Sequence, residues 1–70
     1  MTRYSLVGVD GNAYAIMGYT QGALRRTGHG DLVKQMVEEA ESGDYYNLIA
    51  VCDRYIGIAN EGLEDDEEEE

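Results

Sequence analysis

From Glu64 to Glu70 every residue is acidic, and a run of that kind repels itself too strongly to pack into a core. The folding has to be done by residues 1–60, with 61–70 expected as a disordered acidic tail. Sixty residues allow one domain, and a chain this short buries only about 60% of the surface its unfolded form exposes. A stability of roughly 3–5 kcal/mol is expected of such a core. Disulfides, a structural metal or oligomerisation usually reinforce domains of this size. The single cysteine, Cys52, and the single histidine, His29, cannot supply the first two. Oligomerisation stays open, and no cofactor or metal is expected.

The net charge of −10 raises the idea of a nucleic-acid mimic, but eight of the fifteen acids lie in residues 61–70. Residues 1–60 carry seven acids against five bases, a net of −2. A mimic of duplex phosphates needs its carboxylates on a rigid surface at phosphate-like spacing, which a tail does not offer. Direct nucleic-acid binding is not expected. The tail instead suits a protein partner with a basic surface. No stretch approaches the roughly 18 apolar residues of a membrane span. The opening residues, 1–11, lack the basic start and long apolar stretch of a signal peptide, so a cytoplasmic location is expected.

Residues 3–9, running from Arg3 through Tyr4, Leu6 and Val7 to Val9, have strand composition and stop at the turn dipeptide Asp10-Gly11. They predict one β-strand. No second stretch has that composition, so the strand must pair with a short irregular segment or with its copy in a two-fold dimer. The alternative is an extended arm lying across the helices with part of its backbone hydrated.

Three helices follow, over about 12–26, 31–42 and 44–60, giving an α+β, mostly α, fold. Asp10 or Asn12 can cap the first, and Gly28 suits its left-handed stop. At about 100° per residue, Ala13, Ile16, Met17, Thr20 and Leu24 share its core face. Gly11, Ala15, Gly18 and Gly22 line the opposite side. Interior glycine costs roughly 1 kcal/mol against alanine, so two in one helix ask for a compensating close approach of another backbone. That backbone is the chain's own strand or third helix, a second copy, or a partner.

Asp31 is placed to cap the second helix or to sit in its first turn, with Leu32, Val33, Met36, Val37 and Ala40 facing inward. Ser42-Gly43-Asp44 reads as stop and restart, Gly43 closing one helix and Asp44 capping the next. In the third helix Tyr45, Leu48, Ile49, Cys52, Tyr55, Ile56 and Ala59 form the inward face, broadened by Val51 and Ile58.

The residues that could carry chemistry are few. Cys52, on a core stripe, reads as a small hydrophobe, and His29 as a solvated loop residue. One histidine and one buried cysteine do not make an activated pair, so the chain is read as not an enzyme. Arg25, Arg26 and His29 form one basic spot that complements the first helix's dipole, or contacts an anion such as a nucleotide. Tyr45 and Tyr55 point to the core, whereas Tyr14, Tyr19 and Tyr46 lean away from it. They either cover core edges or mark an interface, where tyrosine's area and polar tip are useful.

The stretch Tyr4-Ser5-Leu6-Val7-Gly8-Val9-Asp10-Gly11-Asn12-Ala13, followed by Ile16-Met17-Gly18-Tyr19 and by Asp44-Tyr45 before Leu48, resembles a group of short bacterial and bacteriophage proteins without an assigned activity. The likeness covers most of residues 4–56 and leaves out the tail and the 27–30 loop. It implies a mobile-element setting and brings no catalytic residues. Proteins of that setting commonly bind and inhibit a host component.

Together these features predict a non-catalytic protein-interaction module, an accessory or inhibitor of a basic host protein. Its working face would be Tyr14, Ala15, Gly18, Tyr19, Gln21, Gly22 and Arg25. The alternatives are a protein binding an anionic nucleotide near Arg25, Arg26 and His29, and a structural homodimer joined through residues 3–9 or the Gly18/Gly22 face.

Overall fold

The helix starts and stops follow local chemistry. Asn12 opens α1 (Ala13–Arg26), its side-chain oxygen accepting the Tyr14 N–H at 2.8 Å and the Ala15 N–H at 3.4 Å. The helix ends at Gly28, whose φ of +84° only glycine adopts cheaply. There the Gly28 N–H reaches the Arg25 carbonyl and the His29 N–H the Leu24 carbonyl, the paired bonds of a Schellman stop. These data come from a computed structural model that describes residues 3–61 and Leu63. The tail expected over 61–70 lies, after Glu61 and apart from Leu63, outside the described residues.

α2 (Val33–Ala40) is shorter than expected because residues Gly30–Leu32 form a 3-10 turn ahead of it. Asp31 sits in that turn and caps nothing. α3 (Tyr45–Glu61) begins as its sequence predicts, with Asp44 Oδ1 accepting the Asn47 N–H at 2.9 Å. Gly43 is needed for a reason other than a left-handed stop. A Cβ there would lie 2.9 Å from Asn47 Cβ and Cγ, and the Asn47 amide is what caps α2, donating to the Glu39 carbonyl at 3.0 Å.

α3 packs on both other helices. Leu24, Met36 and Cys52, one from each helix, are fully buried, as is Thr20, whose hydroxyl donates to the Ile16 carbonyl at 2.8 Å. Ala23, not assigned to the core stripe of α1, is buried as well. Each large apolar side chain in this core contributes about 1.5–3 kcal/mol by leaving water. Between α2 and α3 the buried Tyr55 ring sends its hydroxyl to the surface, where it accepts from Gln35 and donates to Glu39 at 3.0 Å. Arg54 pairs with the same Glu39 and lies over the Tyr55 ring.

The predicted N-terminal strand is not formed. Among the described residues there is no strand at all, and the fold is helical. The run that reads as β is broken from inside: Gly8 takes φ +88°, and the Val9 N–H turns back to the Leu6 carbonyl at 3.1 Å. Strand ladders are replaced by side chains. Asn60 accepts the Tyr4 N–H at 2.8 Å and donates to the Tyr4 carbonyl at 3.0 Å. Tyr19 Oη accepts the Ser5 N–H at 2.9 Å, and Ser5 Oγ the Val7 N–H at 3.1 Å. Each main-chain donor so named has a partner, which removes the demand for a second strand. Residues 3–12 thus form an arm that runs from the end of α3 back to Gly11, where the Tyr45 hydroxyl donates to the Gly11 carbonyl.

Candidate functional site

Tyr14, Gly18, Gln21 and Arg25 recur at spacings of four, three and four, which sets them on one line along α1. The core stripe, with Ile16, Met17, Thr20 and Leu24 buried, fixes which way that line points. It faces out. Tyr14 is 80% exposed, and a Cβ placed on Gly18 would meet no atom within 4 Å. Neither the arm nor α3 covers this side, so the close approach expected inside the chain is absent at Gly18.

Beside that line the surface is partly filled from within the helix. At Gly22 the nearest atom to an added Cβ is Arg26 Nη1 at 3.1 Å, so Arg26 folds back along α1. Ala15 is half-buried, and so is Gln21 on the line itself. Gly11, at the head of the small-residue side, is approached by Tyr45 Oη, 3.5 Å from where its Cβ would be. Tyr19 departs from the set. Its ring meets the Tyr4 ring edge-on, with centroids 6.0 Å apart, and it packs partly buried against the core. It holds the arm, whereas the Tyr14 side chain is left mostly in solvent.

The basic residues at the end of α1 are drawn to different neighbours. Arg26 lies over Gly22, while the stem of Arg25 passes 3.8 Å from the Cβ position of Gly30. His29 is half-buried, its backbone tied to the Leu24 and Leu32 main chain. Cys52 is fully buried; burial pushes its thiol up from the ordinary value, and the Thr20 hydroxyl beside it pulls the other way by less. A raised thiol holds its proton and is a poor nucleophile. Among the described residues no group of three or more metal-ligating side chains gathers, no pocket opens, and no helix is long and apolar enough to cross a membrane.

Tyr45, expected in the core, is instead 43% exposed at the head of α3, with its hydroxyl on Gly11. Tyr46 beside it is 79% exposed. Two residues that sequence reading passed over prove important for shape: Asn47 and Asn60. The asparagines bind main chain from a distance that no local pattern reveals. The rule applied to Gly18 also picks out Gly57, an interior glycine of α3 with open space at its Cβ.

Compared with protein-family models, with curated proteins and with solved structures, the chain matches none.

Proposed function

We propose that the chain is a cytoplasmic, non-catalytic protein-interaction module that engages a protein partner through the open side of α1. The observation that carries this reading is the pairing of Tyr14 with Gly18. One is a large aromatic left 80% exposed, the other, four residues on, is a helical glycine with nothing over it. A partner helix or strand laid on Gly18 would approach the α1 backbone closely, flanked by the Tyr14 ring on one side and Arg25 on the other. Both features cost the isolated domain something, and contact with a second polypeptide would offset that cost.

The partner fits best as a protein with a basic surface, because the acidic run at 64–70 would draw it in by long-range attraction. The resemblance to mobile-element proteins suggests a bacterial host component as that partner. Affinity capture from bacterial lysate by the wild type, by Gly18→Leu and by a chain ending at residue 60 tests both parts. Capture should be lost in Gly18→Leu, with helical content by circular dichroism unchanged, and reduced at low salt in the shortened chain. Equal capture by a folded Gly18→Leu would sink the assignment of the face. Equal low-salt capture by the shortened chain would remove the tail from the mechanism.

A further inference from the structure

The arm is held the way a receptor holds an extended peptide. Asn60 presents its amide to one residue, reading both the N–H of Tyr4 at 2.8 Å and its carbonyl at 3.0 Å. Tyr19 Oη takes the next N–H, from Ser5, at 2.9 Å. The Tyr19 ring receives the Tyr4 ring edge-on, at an interplanar angle of 71°. Leu6 and Val9 then rest partly buried against the core. Main-chain polar groups supply the hold and alternate side chains supply the selectivity, the two elements of extended-peptide recognition.

We infer that this site is exchangeable: the arm of a second copy of the chain takes it in place of the chain's own, and the exchange is reciprocal. A second copy carries the identical segment, so the contacts made in trans equal those made in cis. What differs is the hinge and the entropy of association. The hinge lies at Gly8, held at φ +88° and closed by the single bond from the Val9 N–H to the Leu6 carbonyl. The residues around it, Tyr4, Leu6, Val7 and Val9, have strand composition, so opening the turn moves them toward the conformation they favour. Val7 is 90% exposed in the closed arm, so the turn gains nothing from burying it. Ahead of the hinge the hold includes the hydrogen bonds to Tyr4 and Ser5 and the partly buried Tyr4 and Leu6, while Val9 stays with α1, which makes release of the segment a local event and not global unfolding.

A tethered arm acts on its own site at an effective concentration on the order of millimolar, which sets the range in which exchange competes. The inference is independent of the α1 open face, since Asn60, Tyr4 and Ser5 take no part in that surface.

The test uses the full chain with a photo-crosslinking benzophenone amino acid at position 6, light and heavy isotopic forms being mixed. Crosslinks from position 6 to α1 or α3 should appear in mixed-isotope form, in a proportion that rises with protein concentration. Gly8→Val, which penalises the closed turn of each of the two free chains and not the opened turns of the exchanged pair, should shift the concentration for half exchange down by roughly 30-fold. The wild-type concentration series carries the test alone should Gly8→Val fail to fold. Crosslinks that stay within one isotopic form at millimolar wild-type protein overturn the proposal. So does a sedimenting dimer without mixed crosslinks, which would place the association on another surface.

Discussion

Replacing Gly18 by alanine should raise the stability of the domain. Gly18 lies inside α1, where alanine is favoured over glycine by about 0.8–1 kcal/mol because glycine has more backbone freedom to lose on folding. Packing does not offset this gain, since the added methyl meets no atom within 4 Å. The expected change is therefore an increase of about 0.5–1 kcal/mol, read by urea unfolding followed by far-ultraviolet circular dichroism. The denaturant slope should not change, because the surface exposed on unfolding is the same. For a domain of this size 1 kcal/mol corresponds to about 4–8 °C in Tm. A fall in stability would refute the reasoning, because it would mean that some segment lies over Gly18 in the free chain. The same variant should bind the partner less well if the face is used, and a substitution that strengthens the fold while weakening association marks a residue kept for function.

Gly43→Ala should have the opposite sign. The new Cβ would displace Asn47 and cost its bond to the Glu39 carbonyl, about 1–2 kcal/mol, against an entropic gain of about 0.4–1 kcal/mol, so unfolding by urea should come at lower concentration. Asn60→Ala should free the arm: amide exchange at Tyr4 should accelerate at least tenfold, from the loss of about 1.4 kcal/mol or more in local protection, while amides in the middle of α3 keep theirs. Cys52 gives a pH dependence. Its thiol is raised in the folded state above the ordinary value of 9.0, so the folded chain keeps a proton that the unfolded chain loses, and the associated stability is complete below that value and declines as pH rises through it. Unfolding free energy measured from pH 7 to 10 should fall more steeply for the wild type than for Cys52→Ala, and parallel curves would refute the shift.

The helices were legible where their ends carry their own chemistry. Asn12 and Asp44 cap as short polar side chains do, and Gly28 stops α1 through a conformation open to few other residues. The core faces of α1 and α3 followed from periodicity except at Ala23, which is buried, and Tyr45, which is exposed. The start of α2 did not, because Asp31 and Leu32 satisfy a helical pattern equally well as a 3-10 turn, and the choice rests on how the chain leaves the Schellman stop. The arm was misread as a strand because Val7 and Val9 dominate its composition. The contrary signal was Gly8 between them, since glycine inside a strand pattern marks a bend. That the glycines of α1 face away from the core was visible in their spacing. Whether a segment covers them was not, because that depends on where the arm lies, and the arm is placed by Asn60, 56 residues from Tyr4.

The tyrosines show how the fold and the proposed face divide the polar surface between them. Tyr4 carries the arm's ring contact, Tyr19 accepts from Ser5, Tyr45 donates to Gly11 and Tyr55 joins Gln35 to Glu39. Each ties one part of the chain to another, Tyr4 and Tyr19 from the edge of the core, Tyr55 from within it and Tyr45 from the surface. Tyr46 retains a ring contact with Tyr45. The Tyr14 side chain has no such duty; its backbone serves the fold, the N–H through the Asn12 cap. Any residue with an N–H would close that cap, so the Tyr14 ring is surplus to folding. Gly18, one turn along, is surplus in the reverse sense, since alanine would serve α1 better. Two adjacent positions where the fold would accept, or prefer, another residue are the positions at which binding is free to decide the sequence.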